Sequence, residues 1–464
     1  MVESLSPGRC VLFHNPEAKI DIRHSNNAMP RVLLITYYFP PSGGPGVQRM
    51  LKFARYLESF DWEPVVLTVR DGAYPARDPT LTDEIPATVG VHRTSSWDPY
   101  RWYARFMGKD PDEAVSVGFL DDDEPGIKER LARWVRANIF LPDARVGWVP
   151  FAVRRGQKLL SDQSIDTIVT SGPPHSTHLI GRMLHRWSGV SWAADFRDPW
   201  TDIDYYSELP MTRWARFIDR VLERTVLDDA DRIISVSRDW CRLLGEKTTT
   251  PTVLIRNGFD PEDFESIRPA ASDGFVISHV GNLLPARNPE ELWRVLGRLY
   301  RSGEISELRI RFVGNVDGSV RRSVKNAGLR PVTEYVPYVP HEKALAYMVG
   351  STLLLLTINR SGGSEFEGHI PGKLYEYLGS GRPVLGIGAE RAEVARILEE
   401  TNGGKMVDFG DAAAIEELVG DYYADWSQGK SLQRSSGSAL EPFTRQHQTE
   451  QLAALLTELK HGNG

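Results

Sequence analysis

Apolar residues along this chain fall into short unbroken runs, separated by stretches in which they recur every third or fourth position. The first run, "RVLLITYYFPP", starts at Arg31 and ends in a turn. A glycine loop leads to "GVQRMLKFARYLESF", where Met50, Leu51, Ala54, Tyr56 and Leu57 recur at near-helical spacing, and "EPVVLTV" follows as a second run. A run without polar alternation reads as a strand buried on both faces, so strand, helix, strand in this form opens a doubly wound parallel sheet. Further strands read at "DTIVTSG" (166–172), "SWAADFRD" (191–198), "RIISVS" (232–237) and "TVLIRNG" (252–258), with helical stretches among them.

Residues 263–274, rich in Pro, Ala, Ser and Asp, suit a linker. The pattern then restarts: strand "FVISHVGNL", helix "PEELWRVLGRLYRSG" ending at Gly303, strand "LRIRFVGN", then "TEYVPYV", "STLLLLTI", "RPVLGIG" and "GKMVDFG". The fold class is α/β, with two doubly wound domains. The expected organisation is a flexible N-terminal extension over 1–30 and a first domain over 31–262, with a helical insertion at about 72–165. A second domain spans 275–435, and a terminal helix lies within 440–464. Ligands of such sheets bind at the carboxyl ends of the strands, so a cleft between two facing domains is the expected site.

The segment 72–165 holds the acidic run "DDDEPG" and two basic-aromatic stretches, "YRWYARFMGK" and "ERLARWVRANIF". It reads either as a helical insertion with a solvated charged face or as a surface that meets a lipid headgroup or lipid-linked substrate.

At 464 residues the chain exceeds one ordinary core, which agrees with two domains. A net charge of −7 gives no global electrostatic reason to expect a nucleic-acid partner. Cys10 and Cys241 make neither a disulfide framework nor a metal-ligand spacing, and no apolar run approaches membrane-spanning length. The polar first 30 residues lack the apolar segment of a secretory signal. The expected location is cytoplasmic, with peripheral contact at the inner membrane face left open.

Candidate chemistry gathers at strand ends. "YYFPPSGGPGVQRM" places Gly43, Gly44 and Gly46 between a strand and a helix, where the backbone turns sharply and approaches a ligand. Its spacing is neither the dinucleotide fingerprint nor a P-loop. "TSGPPHSTHL" and "DFRDPW" follow two later strands of the same domain, and His175 stands just past a strand end, where a general acid or base is wanted. In "DFRDPW" an Arg–Asp pair that fixes the loop is the competing reading. In "HVGNLLPARNPEEL", Arg287 lies at the mouth of a glycine turn, placed to hold phosphate oxygens bidentately.

"HIPGKLYEYLGSGRPVLGIG" (369–388) is the most informative stretch. Pro371 suits a first helical turn, and Gly368 to Gly372 would bring backbone N–H groups to its positive end, with Lys373 adding full charge. One turn on, Glu376 could accept hydrogen bonds from two vicinal hydroxyls. A diphosphate followed by a ribose is a nucleotide.

From about 31 to 460 the chain resembles a glycosyltransferase of family 4 with the two-Rossmann-domain GT-B architecture. The carrying motifs are "YYFPPSGGPGVQRMLKFARYL", "SGPPHS", "DFRDPW", "HVGNLLPARN" and above all "IPGKLYEYLGSGRPVL". The final "FTRQHQTEQLAALLTEL" resembles the tail that in this architecture crosses back to the first domain. The resemblance implies a retaining transfer from a nucleotide-diphosphate sugar, with no metal and no cofactor beyond that substrate, and a sugar or lipid-linked acceptor. It implies that Gly44 and Gly46 face the donor phosphates or acceptor and that His175 lies near the sugar. Arg287, Gly372 and Lys373 would hold the diphosphate, and Glu376 would bind the ribose.

Two departures stand out. The position eight before Glu376, where the family often carries a second Glu, is Gly368, with Glu365 and Glu367 nearby. The glycine turn carries Asn282 where an Arg is common. The "DID" at 202–204, "DDD" and "DPD" match a metal-binding Asp-x-Asp pattern no more often than chance allows and are rejected as metal sites. A nucleotide-sugar epimerase of the same architecture and a catalytically silent nucleotide-sugar-binding protein are the other readings. The glycine spacing argues against a nicotinamide dehydrogenase.

Overall fold

The computed structural model describes residues 29–74, 77–97, 127–359, 368–432 and 437–462. These form two compact units, one running to Arg256 and resuming at Gln448, the other spanning Asn257–His447.

The first unit is a seven-stranded parallel sheet. Its strands are β1 (Arg31–Thr36), β2 (Glu63–Val69), β3 (Gly90–Thr94), β4 (Thr167–Gly172), β5 (Ser191–Phe196), β6 (Arg232–Ser235) and β7 (Thr252–Leu254), in the order β3-β2-β1-β4-β5-β6-β7. The second unit has β8 (Phe275–Val280), β9 (Leu308–Val313), β10 (Thr333–Val336), β11 (Leu353–Thr357), β12 (Val384–Ile387) and β13 (Gly404–Val407), ordered β10-β9-β8-β11-β12-β13. In each sheet the chain reverses direction of travel at one place, β1/β4 and β8/β11. Loops diverge there at the carboxyl edge and leave room for a ligand.

Burial on both faces explains the unbroken apolar runs. Alternate residues of β1 enter opposite cores: Leu33 and Ile35 pack with Trp148, Leu184 and Trp192, whereas Val32 and Leu34 pack with Met50, Leu51 and Ala54. The second of these cores also takes Leu452, Leu455, Leu456 and Leu459 from the terminal helix Arg445–Gly462. The Trp62 indole N–H donates to Thr457 Oγ1 on that helix at 3.2 Å.

Two boundaries differ from the sequence reading. The supposed insertion at 72–165 contains β3, which pairs in parallel with β2 from Gly90 to Thr94. This strand was missed because "GVHRT" lies at the sheet edge, is only half-buried and needs no apolar run. The first domain is also shorter than 31–262. Residues 257–262 belong to the second unit, where the Phe259 amide donates to Phe443 O (3.0 Å) and the Arg445 amide to Phe259 O (2.8 Å). The run that appeared to continue to Gly258 ends as strand at Leu254.

The helix Glu290–Ser302 stops where expected, at Gly303 with φ +83°, a left-handed cap that glycine adopts without strain. The stretch 99–109, the acidic run and residues 1–28 lie outside the described residues.

Candidate active site

In the second unit, the carboxyl ends of β8 and β11 collect several polar groups. After β8 the chain turns at Gly281, φ +110°, where a Cβ would stand 2.9 Å from the Lys373 ammonium. Only glycine suits both the backbone and that neighbour. Lys373 opens the helix Lys373–Gly379, which has Gly372 as its N-cap residue and no side-chain cap. Pro371 therefore stands just outside the helix rather than in its first turn; its carbonyl accepts from the Leu374 amide at 3.0 Å. Tyr377 of this helix fixes its place by accepting the Val280 amide N–H at the end of β8 (2.9 Å).

The Lys373 ammonium donates to His279 Nε2 (3.1 Å) and reaches Asn282 O (3.5 Å). His279 Nδ1 lies 3.0 Å from Leu355 O, so it carries the ring proton and leaves Nε2 as acceptor. Burial, with Lys373 beside it, lowers His279 to about 3, so the imidazole is neutral. Among the described residues no carboxylate lies within ion-pair distance of Lys373. Burial and the nearby Arg287 lower Lys373 to about 7, against a smaller raising effect of Glu376. Arg287 donates through Nε to Asn359 Oδ1 (2.7 Å), just beyond β11, and through a terminal nitrogen to His369 Nε2 (3.5 Å). Lys373 and Arg287 thus lie near each other, against an imidazole, a carbonyl and an amide oxygen, an arrangement that suits an anionic ligand. Glu376, one turn along, is half-buried and lies 3.1 Å from His341 Nε2.

In the first unit Gly46 and His175 are close-packed, whereas Gly44 is exposed. Gly44, φ +105°, is the N-cap residue of the helix Pro45–Tyr56, which has no side-chain cap. Gly46 serves packing: a Cβ there would sit 1.9 Å from an Arg197 nitrogen. Arg197 donates to Gly172 O (3.2 Å) and Pro173 O (2.5 Å), so it braces the loop after β4. Asp195, the first residue of "DFRDPW", lies on β5. It accepts a bidentate pair of hydrogen bonds from Arg49 (3.0 and 2.8 Å) and one from Ser171 Oγ (2.7 Å). Gly46→Ala should lower the urea midpoint of unfolding by the equivalent of about 1–3 kcal/mol, because Arg197 has little space to yield.

His175 precedes the helix Ser176–Ser188 and stacks on Trp200, ring centroids 4.9 Å apart and planes within 9°. Its Nδ1 is buried and has no hydrogen-bond partner among the described residues. Burial and the adjacent His178 and Arg197 hold it well below the usual histidine range, so its ring is neutral and a weak base. Trp200 is itself fixed by donating to Asp219 Oδ1 (3.0 Å). The helix beyond His175 already has an anion at its N-terminus, since Asp143 accepts from the Ser176 amide (2.8 Å) and hydroxyl (2.9 Å).

The structure thus brings Arg287, Gly372, Lys373 and Glu376 onto one edge of the second unit, and Gly44, Gly46 and His175 onto one edge of the first. The sequence reading passed over His279, Asn359, His369 and His341. Of these, His279 carried a signal, standing two residues before a glycine at a strand end. Glu365 and Glu367 lie outside the described residues. Asp202 of "DID" is ion-paired with Lys247. Among the described residues no cluster of three or more His, Cys, Asp or Glu could hold a metal ion. A cavity lined by Asn402, Lys405, Asp421, Tyr422 and Asp425 shares no residue with either cluster.

Residues 43–258 match the family model of the glycosyl transferase 4-like domain. No curated protein matches the chain. Solved structures of similar fold include a sucrose-phosphate synthase from Thermosynechococcus elongatus (TM-score 0.59, 14% identity, 93% of this chain and 100% of that one). A glycosyltransferase from Rickettsia africae ESF-5 gives a TM-score of 0.56 at 11% identity, covering 94% of this chain and 100% of that one. A protein assigned as a UDP-N-acetylglucosamine 2-epimerase, from Listeria monocytogenes, gives 0.51 at 12% identity, covering 94% and 97%. At these identities the likeness establishes the fold: two Rossmann-like units of GT-B type.

Proposed function

Residues 43–258 match the glycosyl transferase 4-like domain, and on that premise we propose that the chain is a glycosyltransferase that uses a nucleotide-diphosphate sugar as donor. One observation carries the donor assignment: Lys373, beside Arg287, is held by a neutral imidazole and a carbonyl, with no carboxylate in ion-pair distance among the described residues. That arrangement suits a diphosphate, whose negative charge grows as the anomeric bond breaks, and fixed cations stabilise that charge without reorganising. Glu376, one helical turn from Lys373, is assigned to the ribose hydroxyls.

The first unit is assigned to the acceptor. His175, neutral and stacked on Trp200, is the residue suited to contact the reacting sugar. Retention follows if the acceptor attacks on the face the diphosphate leaves, with the departing phosphate receiving the proton. No metal is needed for this step when Lys373 and Arg287 neutralise the leaving group. The acceptor is a sugar or lipid-linked sugar of a cell-envelope polysaccharide or glycolipid, and the work is done in the cytoplasm at the membrane face. No described helix is long and apolar enough to cross a membrane.

The test is a thermal-shift panel of UDP, GDP, ADP, their common sugars and NAD, each with and without EDTA. Stabilisation by one nucleoside diphosphate, unchanged by EDTA, is the expected result and names the base. A protein that responds to none of them is not a nucleotide-sugar transferase. In calorimetry Glu376→Ala should weaken binding of that nucleoside diphosphate about fivefold to tenfold, the worth of one or two hydrogen bonds to a charged acceptor. Unchanged affinity would move the ribose elsewhere.

A further inference from the structure

The helix Arg213–Asp229 in the first unit exposes large apolar side chains along one face. Trp214 is 76% exposed, Phe217 59%, Ile218 46% and Val221 43%. Positions 214, 217, 218 and 221 are i, i+3, i+4 and i+7, so the four share one stripe. The opposite face is anchored: Ala215 and Val226 are buried, Asp219 accepts from Trp200 and Tyr206, and Glu223 accepts from Thr201 and Lys247. The carboxylates of the helix middle are therefore turned inward, while Arg213 and Arg220 are exposed; Arg224, also exposed, pairs with exposed Asp228 near the helix end.

The helix Ile127–Ile139 adjoins this surface. Asn138 donates to Pro210 O (2.9 Å) and accepts from the Thr212 amide (2.6 Å), at the start of the first helix. It adds exposed Leu131, Trp134 and Ile139, together with exposed Arg130.

We propose that this two-helix face, centred on Trp214 and Phe217, docks the protein onto an anionic lipid bilayer. Aromatic and branched apolar side chains ringed by arginines match a headgroup boundary, where rings enter the acyl edge and guanidinium groups meet lipid phosphates. The charge argues for lipid over a second copy. Arg130, Arg213 and Arg220 stand exposed around the stripe, a charge that an anionic bilayer complements and a second copy of the same basic face does not. The chain as a whole carries −7, so an anionic surface repels most of it and this basic face would fix the orientation of docking. The inference deepens the membrane-face part of the function proposed above and rests on it, but not on the donor chemistry. Vesicle binding is read without sugar transfer, so the two can fail separately.

The experiment is co-sedimentation of the full chain with phosphatidylglycerol-containing and pure phosphatidylcholine vesicles, at low and high salt. The wild type should pellet with the anionic vesicles and less as salt rises. Trp214→Ser with Phe217→Ser should lower the partition at least about tenfold. Arg213→Glu with Arg220→Glu should abolish the preference for anionic lipid. These four side chains are exposed, so the variants should melt as the wild type does. Equal recovery in the supernatant with and without anionic vesicles overturns the proposal, as does a serine variant that pellets like the wild type. Light scattering that shows a dimer dissolved by the serine pair, without vesicle binding, assigns the face to a second copy instead.

Discussion

Replacing Lys373 with Met is expected to weaken nucleotide-sugar binding by roughly 30-fold, about 2 kcal/mol, the range for a charge-assisted contact to phosphate. The fold should survive, because the ammonium's partners are neutral: His279 Nε2 and Asn282 O lose one donor and strand no charge. The same residue should make binding depend on pH. Burial and Arg287 lower Lys373 to about 7 in the free protein, so it is charged below that pH and increasingly neutral above it. A diphosphate favours the charged form, so binding at pH 8 requires a proton. Affinity should then fall as pH rises above 7, by up to about tenfold per unit, and remain flat in the Met variant. Calorimetry in buffers of different ionisation enthalpy reads this directly. Uptake should approach one proton per nucleotide sugar at pH 8 in the wild type, whose donor diphosphate does not titrate there. No uptake would show that the diphosphate lies away from Lys373.

The second large effect is on stability. Arg49 and Asp195 are fully buried, and their bidentate pair joins the helix after the glycine loop to β5. Arg49 also donates to Ile255 O (3.0 Å) and Arg256 O (2.7 Å), which fixes the chain just beyond β7. Arg49→Met strands a buried carboxylate with Ser171 as its remaining side-chain donor and should destabilise the first unit by about 3–5 kcal/mol. Adding Asp195→Asn removes the stranded charge and should recover part of that loss, a coupling that a double-mutant cycle in urea measures. If the double variant loses the full sum of the two single changes, the pair does not act as a unit.

The two α/β units were legible in the sequence because burial on both faces leaves a local mark. "RVLLIT", "TIVTSG" and "LLLLT" are strands whichever neighbours they take, and all three are fully central in their sheets. "GVHRT" carries no such mark, since an edge strand is made by its partner β2 rather than by its own side chains. The site divides the same way. Lys373 and Glu376 were conspicuous as charges set among apolar residues before a buried strand. His279 was not, because its role rests on contact with a residue 94 positions away.

By itself, then, the sequence determined the alternation of strands and helices, the restart of that alternation, and the glycine-rich strand ends where chemistry gathers. These follow from local burial and backbone freedom. The tertiary structure alone decided that Lys373 is held by His279 and a carbonyl and that Gly46 is kept small by Arg197. It also decided that Asp195 answers Arg49, and that Trp214 and Phe217 face outward. Each of these depends on which distant segments meet, and a side chain's charge state and exposure are set by those meetings rather than by its neighbours in the chain.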